Sequence, residues 1–469
     1  MKDYWKTLEE LNAYIWDQAE LRFHEEHSAR ALADFLKNEG FEVTEGVADM
    51  PTAFVARAGH GRPVIGFLAE YDALSGLSQK AGLDYPEPVV PGGCGHGCGH
   101  SLFGTGAAYA AVLCRNRLRD EGLEGTVILY GCPAEEGGSG KAYMARAGLF
   151  DELDAALTWH PSTLNEVHAG RNLANCQAYF RFTGISAHAG TVPHKGRSAL
   201  DAVELMDVGV NYLREHMEQE ARIHYAILDT GGTSPNVVQG HAEVLYLVRH
   251  ETMEKALALY ERVCDVPRGA ALMTGTKVEI AFDKGTSDVV PNEALEKLLY
   301  ECMLTEKIPE YTEEEQDYGR RLQKTLISWN PGDAKSVKRL PPSQRAEVAA
   351  RLREKPFPDF VIPYVYSDVY QGGSSDVGDV SQTVPTAQIH TATFAVGCPG
   401  HSWQYTAQGK SSSALKGMEY AARVLALAGY RLITEPEKLE AAKKEFLVQT
   451  GGKPYRCPIP AELKPGQPR

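Results

Sequence analysis

Residues 91–106 read Pro-Gly-Gly-Cys-Gly-His-Gly-Cys-Gly-His-Ser-Leu-Phe-Gly-Thr-Gly, with two cysteines and two histidines alternating with glycine. Thiolate and imidazole are the ligands taken by zinc and its borderline-soft relatives, and flanking glycines let the backbone turn tightly enough to aim neighbours at one point. Reach argues against four ligands on one ion. In extended chain Cys94, His96, Cys98 and His100 are separated by steps of ~6.6 Å, whereas ligands of one tetrahedral ion lie within roughly 4 Å of each other. Two adjacent members can converge if the glycine between them bends, which leaves the other two for another role. The plain alternative is a glycine-rich turn around a buried thiol.

A catalytic metal also needs ligands from distant segments, a carboxylate base and an open position. The chain offers these after a series of apolar runs that read as strands. Residues 53–56 and 64–69 are the first two, and the second leads into Glu70 and Asp72. The carboxyl edge of an open α/β sheet is where chemistry gathers. Taken alone Asp72 reads as a turn or helix cap; with the rest it becomes a carboxylate standing behind the ligands. Residues 102–119 read as an Ala-, Leu- and Val-rich helix starting at the Cys/His loop. The run 127–130 leads into a glycine-rich loop holding Glu135 and Glu136. Adjacent carboxylates raise each other's pKa unless a cation sits between them, so one can bind metal while the other holds a water. A run at 154–159 leads to His160, and one at 392–396 leads to His401. Cys98 with His100, Glu135 with Glu136, His160 and His401 therefore read as one site built from four strand ends.

The remaining segments frame that site. Apolar residues at helical spacing over 4–38 predict two amphipathic helices, stopped at Gly40. Between about 175 and 290, strands at 178–183, 243–248 and 277–282 alternate with helices at 198–214 and 252–263. This is the pattern of a small α+β sandwich inserted into a larger α/β domain. Residues 303–358, with the run Glu313-Glu314-Glu315, read as a polar helical excursion with a solvated face and no chemistry, and the proline-containing tail after Gly451 as irregular. A formal net charge of −14 argues against a nucleic-acid partner. No apolar run reaches membrane-spanning length. Nine cysteines without framework spacing, and no signal-peptide pattern at the start, predict reduced thiols and a cytoplasmic location.

Seven motifs carry a family resemblance over nearly the whole chain. They are Ala-Glu-Tyr-Asp-Ala-Leu from 69, Gly-His-Gly-Cys-Gly-His from 95, Gly-Cys-Pro-Ala-Glu-Glu-Gly-Gly-Ser-Gly-Lys from 131 and Leu-Thr-Trp-His-Pro from 157. Three more are Gly-Arg-Ser-Ala-Leu-Asp-Ala-Val-Glu-Leu-Met from 196, Pro-Asn-Val-Val from 235 and Asp-Val-Gly-Asp-Val-Ser from 376. Together they resemble the aminoacylase and carboxypeptidase-like metallo-amidohydrolases. The resemblance implies a phosphorylase/hydrolase-like metallopeptidase catalytic domain over 1–174 and 291–469, with a ferredoxin-like lid and dimerisation domain over 175–290. It implies two divalent metal ions, zinc or manganese, held by Cys98, His100, Glu136, His160 and His401, with Cys98 as the bridge. Glu135 is then the general base, which takes a proton from the attacking water and hands it to the leaving amine. His188 and Asn236 reach the scissile carbonyl, in part across a dimer interface, and Arg249 grips a substrate carboxylate. The implied reaction is hydrolysis of N-acyl amino acids, p-aminobenzoyl-glutamate foremost, by a homodimer or together with a related second subunit. A dipeptidase, or a regulatory subunit active only with a partner chain, is the alternative. Ser101 stands where relatives usually have Asp or Asn, and Ser375 where many have Glu. Cys94, His96 and Cys132 are left as structural.

Overall fold

The computed structural model describes residues 4–467. It divides into two compact units. The first comprises the chain through Arg171, Val290–Val369 and Val380–Tyr455; the second comprises Asn172–Val289, Tyr370–Asp379 and the chain from Arg456 on.

The first unit is built on a seven-stranded mixed sheet. Its order is Glu42–Glu45, Phe54–His60, Gly125–Gly131, Val64–Ala69, Ala155–Ser162, Thr386–Ala392 and Glu166–Val167. The four strands from Gly125–Gly131 to Thr386–Ala392 run parallel, and both edges are antiparallel. Every residue of Val64–Ala69 and Gly125–Gly131 is buried, as expected for central strands covered on both faces. The helix His100–Glu121 is buried along most of its length. It carries Gly104 where a Cβ would lie 2.8 Å from Glu70 O. A glycine that weakens a helix interior is here what lets the helix lie close to the chain just beyond Val64–Ala69.

Three expectations need correction. The strand placed at 392–396 is Thr386–Ala392; polar Gln388 and His390 hide it from a search for apolar runs. The apolar residues Phe394 to Val396 are instead a buried connection, anchored by the Thr393 and Phe394 amides on Ser162 O. Glu313-Glu314-Glu315 is not wholly a solvated face. Glu315 is the buried third residue of a capping box with Thr312 and pairs with Lys416 at 2.7 Å. The third correction is a missed strand, Arg222–Asp229, which lies in the second unit. It shows almost no buried residue, and so carries no apolar alternation to read.

The second unit is an antiparallel four-stranded sheet in the order Lys277–Thr286, Ala174–Thr183, His241–His250, Arg222–Asp229. Helices Ala199–Leu213 and Met253–Thr274 pack on it, capped by Ser198 and Thr252. Alternate residues of His241–His250 are buried, the signature of a sheet covered on one face. After Gly451 the described chain forms no helix or strand. No helix among the described residues is long and apolar enough to cross a membrane.

Candidate metal centre

Cys98 and His100 do not follow a strand, contrary to the four-strand-end reading. They flank Gly99, whose φ of +86° turns the chain into the helix that His100 begins. That turn is the bend by which two of the four ligand-type residues converge. His96 goes elsewhere: its Nε2 bonds Ile15 O at 3.0 Å, and burial lowers its pKa to about 4. Asp72 sets the next pieces. Its Oδ1 accepts from His100 Nδ1 at 2.9 Å and its Oδ2 from the Glu136 amide at 2.9 Å. With Nδ1 as donor, the neutral ring of His100 would carry its lone pair on Nε2, an atom that is buried and without a hydrogen-bond partner among the described residues.

His160 lies inside Ala155–Ser162 rather than after it. Its Nδ1 donates to Pro161 O at 2.7 Å, which leaves Nε2 facing Cys98 Sγ at 3.4 Å. His401 comes nine residues after its strand. Its backbone φ is +56°, its amide is tied to Gly97 O at 2.9 Å, and its Nε2 lies 3.5 Å from Glu136 Oε1.

Two groups of potential ligand atoms result, each mutually within 4.8 Å: Cys98, His100 and His160, and Cys98, Glu136 and His401. Cys98 belongs to both. A third group of the same tightness joins Glu70, His100 and Glu135.

The electrostatics fit a cation. Burial pushes the Cys98 thiol up, with Glu136 adding to it, and raises Glu136 to about 7 against the pull of His100. Burial holds His160 well below the usual imidazole range, assisted by His100, and also lowers His401. For His100 burial acts downward, but Cys98 and Asp72 outweigh it and raise the imidazole. A divalent ion reverses the cost of ionising the thiol and the carboxyl. The hydrogen bonds that orient the His100 and His160 rings, and a His100 Nε2 left without a hydrogen-bond partner among the described residues, suit thiolate, imidazole and carboxylate ligation.

Sequence reasoning missed two supports. Lys141, fully buried, donates to Glu70 Oε1 at 2.6 Å, and Glu70 Oε2 lies 3.3 Å from His100 Nε2. A lysine inside an otherwise apolar helical turn was the available signal. Glu25 is fully buried and accepts from the Ala134 amide at 2.8 Å; burial, then Asp72, raises its pKa to about 8. Nothing in the local sequence announces it.

His188, Asn236 and Arg249 belong to the second unit. His188 is exposed, and its Nδ1 accepts from the amides of Gly190 and Thr191 at 3.1 and 3.2 Å. Nε2–H is then its free donor. Asn236 is brought beside this turn by its carbonyl, which accepts from Ala189 N at 2.9 Å. Arg249 is half-buried on His241–His250 and donates to Ser374 Oγ at 2.8 Å. No carboxylate pairs with it among the described residues; the nearby Glu251 pairs with Lys255 at 3.3 Å.

Because Asp72 holds both a ligand-type imidazole and the Glu136 backbone, Asp72→Asn is expected to weaken metal binding by about 10–100-fold, the usual worth of such an outer partner. Metal titration of the stripped protein measures it, and wild-type affinity would remove Asp72 from the site.

A model of peptidase family M20/M25/M40 matches residues 66–358. The chain is 47% identical over 452 residues to a subunit of the p-aminobenzoyl-glutamate hydrolase of Escherichia coli (strain K12), covering 96% of this chain and 94% of that one. It is 29% identical to Xaa-Arg dipeptidase of Homo sapiens over 93% of this chain and 88% of that one. A solved Bacillus subtilis structure, described as a dinuclear metal-binding peptidase from the M20 family, matches with a TM-score of 0.55 at 18% identity. That match covers 92% of this chain and 99% of that one, and it shows a common fold.

Proposed function

This chain belongs to peptidase family M20/M25/M40 and is a hydrolase, and from that premise we propose a metal-dependent amidohydrolase that cleaves p-aminobenzoyl-glutamate to p-aminobenzoate and glutamate. The observation that carries the metal part is the pair of ligand groups sharing Cys98. Cys98, His100 and His160 would hold one divalent ion, zinc or manganese, and Cys98, Glu136 and His401 a second. When bound, such ions supply a Lewis acid that polarises the amide carbonyl and makes a water acidic. Glu135 takes the proton of that water and returns it to the leaving nitrogen. His188, with Nε2–H as donor, and Asn236 receive the scissile carbonyl oxygen as charge develops there.

Substrate choice follows from Arg249. A half-buried guanidinium without a carboxylate partner suits a substrate carboxylate held by two parallel hydrogen bonds. The purified chain, assayed with and without added metal, is expected to hydrolyse p-aminobenzoyl-glutamate and to act poorly on the matching amide without the glutamate carboxylates. Arg249→Ala is expected to raise KM for the glutamate substrate far more than for a neutral one; equal effects would take arginine out of the specificity argument. A dipeptide in the same assay tests the reading suggested by the dipeptidase relative. Retention of every ligand-type residue and both glutamates argues against a regulatory subunit that works only with a partner chain.

The strand order of the second unit suits a ferredoxin-like lid and dimerisation domain. Its edge strand Arg222–Asp229 exposes Tyr225, Ile227 and Leu228, surface that a second copy would cover. We take the protein to be a cytoplasmic homodimer, its nine cysteines forming no disulfide, or one that works together with a related second subunit. If His188 of one copy serves substrate held by the other, mixing inactive His188→Ala and Glu135→Gln chains regenerates activity. No recovery in verified heterodimers would mean that His188 serves its own chain.

A further inference from the structure

The turn between helices Trp5–Gln18 and Glu26–Asn38 braces both carboxylate loops of the site. Ala19 and Phe23, at φ 45° and 63°, take the left-handed conformation that L-residues seldom adopt. Glu20 O accepts from the Ala73 amide at 2.8 Å, next to Asp72. The Arg22 guanidinium donates to Gly137 O. Phe23 fills the space beside Gly138, where a Cβ would lie 2.5 Å from its ring.

Glu25 completes the brace in an unusual way. It stands at the N-cap of Glu26–Asn38 but does not cap that helix with its side chain. The carboxylate points instead to the Ala134 amide at 2.8 Å, and no cation forms an ion pair with it among the described residues. Ala134 is itself left-handed, at φ 61°, and its carbonyl accepts from Gly138 N at 2.8 Å. The left-handed residue immediately before Glu135 and Glu136 sets the course of the backbone into the pair. Glu135 joins Glu70 and His100, while Glu136 joins Cys98 and His401. An acidic side chain buried without a cation and an alanine in the left-handed region are both unfavourable, and such features persist where the surroundings over-determine them. Here the two meet in one hydrogen bond.

We propose that Glu25 is a positioning residue for Glu135 and Glu136, holding through the Ala134 amide the turn that sends the two carboxylates to different partners. This rests on the roles given to those two glutamates above. Glu25→Gln keeps a carbonyl acceptor at the same reach, whereas Glu25→Asp keeps the charge but falls one methylene short. In the metal-free protein, hydrogen exchange of residues 131–139 should stay near wild type in Glu25→Gln and rise about ten-fold or more in Glu25→Asp. At saturating metal Glu25→Asp should lose about ten-fold or more in kcat with KM little changed, the loss typical of a supporting partner, and its affinity for metal should fall as well because the same turn places Glu136. Adding Ala134→Gly to Glu25→Asp should recover part of that loss, since glycine reaches the left-handed region unaided. The reverse order, with Asp like wild type and Gln impaired, would make the charge the point and overturn the proposal, as would unchanged exchange in both. Exchange is read without substrate, so a protein that cleaves no amide would count against the proposed function and not against this brace.

Discussion

Glu135→Gln is expected to lower kcat by about two to four decades, the range for removing a positioned acid/base, while bound metal stays at the wild-type level. Glu136→Gln is expected to do the opposite first: it loses metal, and activity follows. The distinction follows from the roles proposed above, since both carboxylates lie in groups of potential ligand atoms. Glu136 is fixed through its amide to Asp72 and lies with Cys98 and His401, so its carboxylate completes a group of potential ligand atoms. Glu135 lies with Glu70 and His100, a place from which a carboxylate can exchange a proton with water at the site. Metal analysis and kcat on the same samples decide the matter. If Glu136→Gln keeps its metal and Glu135→Gln loses it, the two roles are reversed.

Cys98→Ser should have the largest effect on metal content, because Cys98 is the one ligand-type residue common to both of the groups proposed to hold the ions. A hydroxyl replaces a soft thiolate with a poor neutral donor, so both ions are weakened at once. His160→Ala and His401→Ala should each weaken one. The protein should still fold in all three, since the apolar core under the site, including Phe103, Trp159 and Met418, is untouched. Metal stoichiometry after dialysis, read beside thermal unfolding, is the check. An equal, partial loss in all three variants would remove Cys98 from its shared position.

Much of this protein is legible in the order of its residues. Period-3.6 and continuous apolar runs announce the helices at the start and the central strands, because both patterns record only which side chains face a core. The Cys/His loop and the adjacent glutamates announce metal chemistry, because those residue types crowded among glycines have few other uses. Where the pattern of burial was weak, reading failed. Arg222–Asp229 is an exposed edge, and Thr386–Ala392 carries polar residues at its half-buried positions.

Tertiary structure alone decided which of these groups meet. Cys98 and His100 converge because Gly99 turns left-handed, while His96, two residues earlier, is committed to Ile15 O. His160 faces Cys98 because the strand order puts Ala155–Ser162 beside Val64–Ala69, and because Pro161 O fixes the tautomer. Glu25 lies 109 residues from the amide it holds. No local period encodes such a bond, since propensity and patterning act over a few turns of chain, whereas the hydrogen bonds that aim a catalytic group are set by which distant loops the sheet brings to one edge.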